Sequence, residues 1–163
     1  MGDRIAYVEE LTHQAVRWVF QSMLSMELAN EPPSPLAADP DGQIIGSVGF
    51  IGQTTGVIHL YTSSHSARVL TGRILGISGQ EVESDEIVND AIGELSNMVA
   101  GFVKSRLCDN GLPCTLTIPS VVRGQQLSVA RSAQASRKAL AFRNGDLHLI
   151  VELLLRESQT TGI

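Results

Sequence analysis

Cysteine is scarce in this sequence: Cys108 and Cys114 are the only two among 163 residues. Their separation fits no metal-binding pattern, and one pair is too few for a disulfide scaffold. Reduced thiols in a cytoplasmic protein are the expectation. Charge is also sparse, with 12 Lys and Arg against 17 Asp and Glu. A nucleic-acid surface needs clustered cations to displace counterions from phosphate. Here Arg123, Arg131, Arg137, Lys138 and Arg143 are dispersed, which reads as a solvated face. No run of about eighteen apolar residues is available to span a membrane. Near the start, Asp3, Glu9 and Glu10 interrupt the apolar residues, unlike a secretory signal. Glycines 46, 49, 52 and 56 gather in one region. Neither Gly-Lys-Ser/Thr nor a helix-opening Gly-x-Gly-x-x-Gly accompanies them, so they read as bends or close contacts rather than a phosphate loop. His13, His59 and His65 have no companions that would complete a metal site or a nucleophile–base pair, so no metal is expected on this chain.

What the sequence does hold is a long helical stretch, 84–108. Ser84 suits an N-cap, since its hydroxyl can accept from a free first-turn amide. Asp85 and Glu86 complement the positive end of the dipole, and Lys104 and Arg106 the negative end. Asn110-Gly111 supplies the stop. At helical spacing Ile87, Val88, Ala91, Leu95, Met98, Val99 and Phe102 share an apolar face. Gly93, Ser96 and Ala100 make a flank small enough for another backbone to come close. Away from the apolar face, Asp90, Glu94, Asn97, Gly101 and Lys104 fall at i, i+4, i+7, i+11 and i+14. Glu94 and Asn97, three apart, project together. A carboxylate accepts and a carboxamide both donates and accepts, so the pair suits gripping a cation while orienting a water. From the helix alone, the stripe reads as an ordinary solvated one.

The remaining segments read in order as an α/β (α+β) chain. Residues 3–28 form a first helix with Ile5, Val8, Leu11, Ala15, Val19 and Met23 inward. Trp18 reads as a core or helix-packing residue, with a partner surface as the alternative, and His13 as structural. Residues 30–42 carry four prolines and read as a loop. Residues 43–52 and 56–62 read as a hairpin, and 63–75 as a short helix burying Val69, Leu70 and Leu75. Residues 113–122 read as one strand ending near Pro119, which cannot donate to a ladder. Residues 123–126 read as a turn, and 127–135 as a strand or irregular edge. A second hairpin, 136–143 with 147–155, turns at Asn144-Gly145-Asp146, its last strand apolar enough to be central. Residues 157–163 read as a tail.

Asp90-x3-Glu94-x2-Asn97, followed after twenty-one residues by Pro119, resembles the active-site signature of the CheC/CheX/FliY family of chemotaxis phosphatases. That signature is Asp or Ser, three residues, Glu, two residues, Asn, about twenty-one residues, Pro. One such motif is present, as in CheX rather than the two-site CheC. The resemblance implies a pseudo-duplicated domain spanning 1–163, with long helices packed on a mostly antiparallel sheet. It implies a phosphatase for the aspartyl phosphate of a CheY-like response regulator. Asn97 would orient the attacking water and Glu94 would pair with the regulator's lysine. Asp90, Gly101, Lys104 and Pro119 would contact the partner. Mg²⁺ would come from the regulator, with no cofactor on this chain, and a homodimer would form by joining sheet edges. The alternative is an adaptor that keeps the surface with little catalysis. In the first helix Glu10 and His13 fall where Glu94 and Asn97 fall in the long one, and Ala6 where Asp90 falls. That half is therefore not expected to be a second centre.

Overall fold

The computed structural model describes residues 2–129 and 133–156. The elements are α1 (Gly2–Leu24), β1 (Ala29–Glu31), β2 (Gln43–Gly52), β3 (Gly56–Ser63), α2 (Ser64–Leu75), α3 (Asp85–Asp109), β4 (Cys114–Leu116), β5 (Ser120–Gly124), β6 (Ala135–Asn144) and β7 (Leu147–Arg156). The described strands form one sheet in the order β1-β6-β7-β3-β2-β4, with β5 also paired to β2. Each of these pairings is antiparallel. The expected α/β (α+β) class, long helices on an antiparallel sheet, is what forms.

Helix ends follow local chemistry. The Ser84 hydroxyl accepts from the Ile87 amide at 3.4 Å, opening α3. At its other end Gly111 takes φ +76°, and the Leu112 amide donates back to the Leu107 carbonyl at 2.8 Å. α2 is capped by the Ser63 hydroxyl and stopped by Gly76 at φ +73°. Helix α1 ends four residues earlier than its apolar pattern predicts. Ser25 turns left-handed at φ +50°, and the Met26 amide then reaches the Phe20 carbonyl. This drives Met26 and Leu28 into the core as extended chain rather than as a further helical turn.

The strand order exposes a pseudo-two-fold relation. The hairpin β2-β3 and the hairpin β6-β7 meet through β3 and β7 at the centre. The strand after α1 pairs with the outer strand of the second hairpin, and the strands after α3 pair with the outer strand of the first. Each half thus completes the other's edge. β7 is central, as its apolar sequence predicts. Lying between β6 and β3, its backbone pairs on both sides.

α1 and α3 pack on each other and on one face of the sheet. Phe20, Leu70, Leu95, Leu107, Phe50, Leu60, Phe142 and Leu153 fill the space between. Burying side chains of this size stabilises by about 1.5–3 kcal/mol each before entropy is counted. Gly46 of β2 lets α3 approach. A Cβ there would stand 2.2 Å from Ser96 Oγ, so a glycine in the strand and a small residue on the helix form one contact.

Several expectations need correction. Ile87, Met23 and Leu75 are 44%, 55% and 50% exposed, because each lies at the edge of its apolar stripe where no neighbouring element covers it. Ile92, Val103 and Leu107 are buried in α3 instead, widening its inward face toward the sheet. The proline-rich region begins with a strand: Glu31 of β1 pairs opposite Ala141. The expected strand 113–122 is broken into β4 and β5 around residues 117–119, and Arg123 and Gly124 extend β5 rather than turning. The arginines are less idle than a solvated face: Arg123 bonds Asn89, Arg137 bonds Glu152 and Arg143 bonds Glu31. Residues 127–129 lie in no regular element. The readings of 130–132, Arg131 among them, and of the tail at 157–163 lie outside the described residues.

Candidate functional site

α3 is fixed by its buried side, so the direction of its other side is fixed too. Val88, Leu95, Val99 and Val103 are at most 1% exposed. The residues a half-turn away must then face out. Asp90 and Glu94 are exposed, while Asn97, Gly101 and Lys104 are half-buried. Neither the Glu94 carboxylate nor the Asn97 amide has a hydrogen-bond or ion-pair partner among the described residues. Both therefore keep their full donor and acceptor capacity for something outside the chain. At Gly101 a Cβ would meet nothing within 4 Å, leaving bare backbone on the helix surface.

Pro119 sits where β5 begins, and its Cβ would lie 3.9 Å from a Cβ at Gly93. Gly93 is one turn before Asn97 and adjacent to Glu94, so the proline forms a rim beside the pair. The break between β4 and β5 makes this placement. Thr117 anchors it by accepting from the Gly49 amide at 2.8 Å and donating its own amide to the Gly49 carbonyl at the same distance. The Arg123 guanidinium, bonded to Asn89 and the Asp85 carbonyl, ties β5 to the first turns of α3. The structure therefore brings Asp90, Glu94, Asn97, Gly101 and Pro119 to one face, with Lys104 further along it.

Two features escaped the sequence. Ile118, beside Pro119, is 89% exposed, the most exposed large apolar side chain among the described residues. A lone isoleucine in a strand-like run gives no signal of this. The second is a hollow of about 490 Å³ between α1 and α3, lined by residues including Arg17, Trp18, Phe102 and Arg106. Trp18 does pack on a helix as expected, with its ring 5.7 Å from that of Phe102, yet it remains 54% exposed.

The opposite face of the sheet carries a separate polar cluster. Ser47 Oγ lies 2.6 Å from His59 Nδ1, and Glu152 stands opposite His59 on β7. This does not complete a catalytic triad, because the Glu152 carboxylate is taken by Tyr61 and Arg137. Burial holds the His59 imidazole below its ordinary value and pushes the Tyr61 phenol up to about 12. Among the described residues no group of three or more His, Cys, Asp or Glu could hold a metal ion. No described helix is long and apolar enough to cross a membrane.

With that geometry in view, comparison with known proteins places the chain. The family model described as chemotaxis phosphatase CheX matches residues 44–143, which include Asp90, Glu94, Asn97 and Pro119. The chain belongs to the CheX family. The CheY-P phosphatase CheX of Thermotoga maritima is 27% identical over 113 residues, which is 67% of this chain and 72% of that protein. The crystal structure of the chemotaxis protein CheX from Vibrio vulnificus superposes with a TM-score of 0.78 at 24% identity, covering 91% of this chain and 96% of that one. A CheX from Borrelia burgdorferi, solved as a CheX–CheY–BeF3–Mg complex, superposes with a TM-score of 0.77 at 20% identity over 91% and 97% of the two chains. At these identities the structural likenesses establish a shared fold.

Proposed function

We propose that the chain, as one unit over residues 1–163, hydrolyses the aspartyl phosphate of a CheY-like response regulator. One observation carries this reading: Glu94 and Asn97 stand side by side, unengaged, on the outward face of a rigid helix in a CheX-family chain. In the reaction water attacks phosphorus in line, the bond from phosphorus to the aspartyl oxygen breaks, and carboxylate and inorganic phosphate leave. The regulator supplies Mg²⁺, which neutralises the phosphoryl oxygens. This chain supplies position. The Asn97 amide holds the attacking water, and the Glu94 carboxylate pairs with the regulator's active-site lysine and sets the register. Asp90, Lys104 and Pro119 contact the partner, and the bare backbone at Gly101 leaves room for it. No nucleophile or strong base on this chain is required. Orienting one water for a hundredfold acceleration lowers the barrier by about 2.7 kcal/mol, which one well-placed amide can supply.

The chain acts in the cytoplasm, where such regulators work, as a homodimer formed through sheet edges. Among the described strands, β1 and the β4/β5 side lie at the ends of the sheet.

The test is phosphate loss from stand-alone receiver domains, with and without this protein. At least one domain is expected to lose phosphate faster, and Asn97→Ala to reduce the acceleration by about a hundredfold with the fold intact. Stimulation unchanged in Asn97→Ala would overturn the mechanism. Phosphorylation-dependent binding with no faster phosphate loss would replace it with the adaptor reading.

A further inference from the structure

The row Glu94, Met98, Phe102, Arg106 runs at i+4 intervals along α3 and leaves the catalytic stripe at Glu94. It ends in the hollow between α1 and α3. There Phe102 is held between two partners: the Trp18 ring at 5.7 Å and the Arg106 guanidinium at 5.0 Å from its centroid. Such stacking limits the rotamers of all three side chains before any partner arrives, which lowers the entropy lost on binding. Tryptophan and arginine are also the residue types that dominate protein-interface energetics.

Charge along α3 is separated by sign as far as its closing residue, Asp109. Glu86, Asp90 and Glu94 occupy the first half of α3. Lys104 and Arg106 occupy the second, with Arg17 across the hollow. None of these six groups has an ion-pair partner among the described residues. Within the hollow the one carboxylate, Glu10, accepts from the Gln14 amide at 3.2 Å. The two arginines of the hollow thus have no ion-pair partner among the described residues, and they outnumber its one carboxylate.

We infer that the Trp18–Phe102–Arg106 hollow is the second half of the regulator's docking surface and that it receives an acidic stretch of the same receiver domain. This inference rests on the reading of Asn97 as the centre of the contact. Scale supports it. At 1.5 Å and 100° per residue, Phe102 lies about 7.5 Å along the axis from Asn97 but about 140° around it, so the contact reaches the hollow from Glu94 by way of Met98. An ordinary interface covers about 800 Å² per partner, equivalent to a disc of about 16 Å radius, wide enough to run from Glu94 over Met98 to the hollow. Charge complementarity supplies the orientation. A receiver whose lysine meets the acidic half of α3 would lay an acidic stretch over Arg106 and Arg17. The reverse orientation sets like charges together along the whole helix. Trp18, exposed in the free protein, would be covered.

Trp18 is the sole tryptophan, so it reports on its own burial. A tryptophan-free receiver domain that this protein dephosphorylates would be charged with beryllofluoride and titrated in. The Trp18 emission is expected to shift to the blue on saturation, and to do so equally in Asn97→Ala, where turnover is lost. In steady-state turnover, Trp18→Ala and the double reversal Arg17→Glu with Arg106→Glu should each raise KM by about tenfold or more, the loss of one interface anchor. Their kcat should be retained, and the reversal should flatten the salt dependence of KM. Circular dichroism would verify that the variants fold. Accelerated dephosphorylation with a silent Trp18 and an unmoved KM would overturn this inference while leaving the phosphatase reading intact. No acceleration of any receiver by the unaltered protein would defeat both. A blue shift with phosphatidylglycerol vesicles but not with the receiver would reassign the hollow to a membrane surface and overturn it.

Discussion

The two long helices occupy related positions in the pseudo-duplicated fold, yet they present different chemistry. On α3, Glu94 and Asn97 are unengaged and Pro119 stands beside them. At the matching places on α1, Glu10 is bonded to Gln14, and the His13 ring packs 5.6 Å from Phe142. An imidazole can replace an amide as a hydrogen-bonding group, but one packed on a core aromatic is not free to hold water. A duplicated scaffold therefore preserves the helix and its packing without preserving the outward face. Only the buried side is needed for folding.

The contrast can be tested by degrees. Its largest effect is the hundredfold loss at Asn97. In that Asn97→Ala background, grafting the motif onto α1 by Ala6→Asp with His13→Asn is expected to restore nothing. Phosphatase activity returning in the graft would show that the motif suffices without its rim.

Next comes the fit of each helix to the sheet. Gly46→Ala pushes a Cβ against Ser96 Oγ, and should cost about 1–3 kcal/mol of stability. Denaturant midpoints would measure it. The companion change Ser96→Gly should recover part of the loss, since it empties the space.

The edges that follow the two helices should differ in acid. β1 is held by Glu31 against Arg143, with His148 Nε2 3.1 Å from Glu31 Oε1. The hydrogen bond from Arg143 holds the Glu31 carboxyl below its ordinary 4.5. Burial, then the nearby Arg143 charge, holds the His148 imidazole below its ordinary 6.5. Both groups take up protons more readily in the unfolded chain, so both make stability rise with pH. The contribution of His148 is complete above 6.5 and is lost as pH falls below it. That of Glu31 is complete above 4.5 and is lost at lower pH still. Amide-exchange protection in β1 should therefore fall before that in β5 on acidification, and Glu31→Gln should narrow the difference. Equal loss in both edges would refute this account.

The smallest effect is at Gly101. Alanine there meets no neighbour and should stabilise α3 by about 0.5–1 kcal/mol. The same methyl group should weaken regulator turnover if, as proposed, it stands on the docking face. Unchanged KM and kcat would remove Gly101 from that face.

Much of this was legible in the chain itself. The caps of α3, its apolar stripe and the two hairpins follow from local rules that need only neighbouring residues. The spacing of Asp90, Glu94, Asn97 and Pro119 was equally plain, because a helix turns fixed intervals into a shared face. What could not be read depended on distant segments. β1 is three residues in a proline-rich stretch and exists because β6 offers it an edge. The break at 117–119 arises because both pieces pair with β2 around a proline that cannot donate.

The sequence by itself determined the class of fold, the central helix and the four positions of the motif, since periodicity, capping and spacing are properties of contiguous chain. Tertiary structure alone decided that Pro119 would rim the pair, that Trp18 would stay half in water against Phe102, and that the halves would exchange edge strands. Those outcomes turn on which surfaces cover one another. Coverage is settled only when segments far apart in the chain compete for the same core.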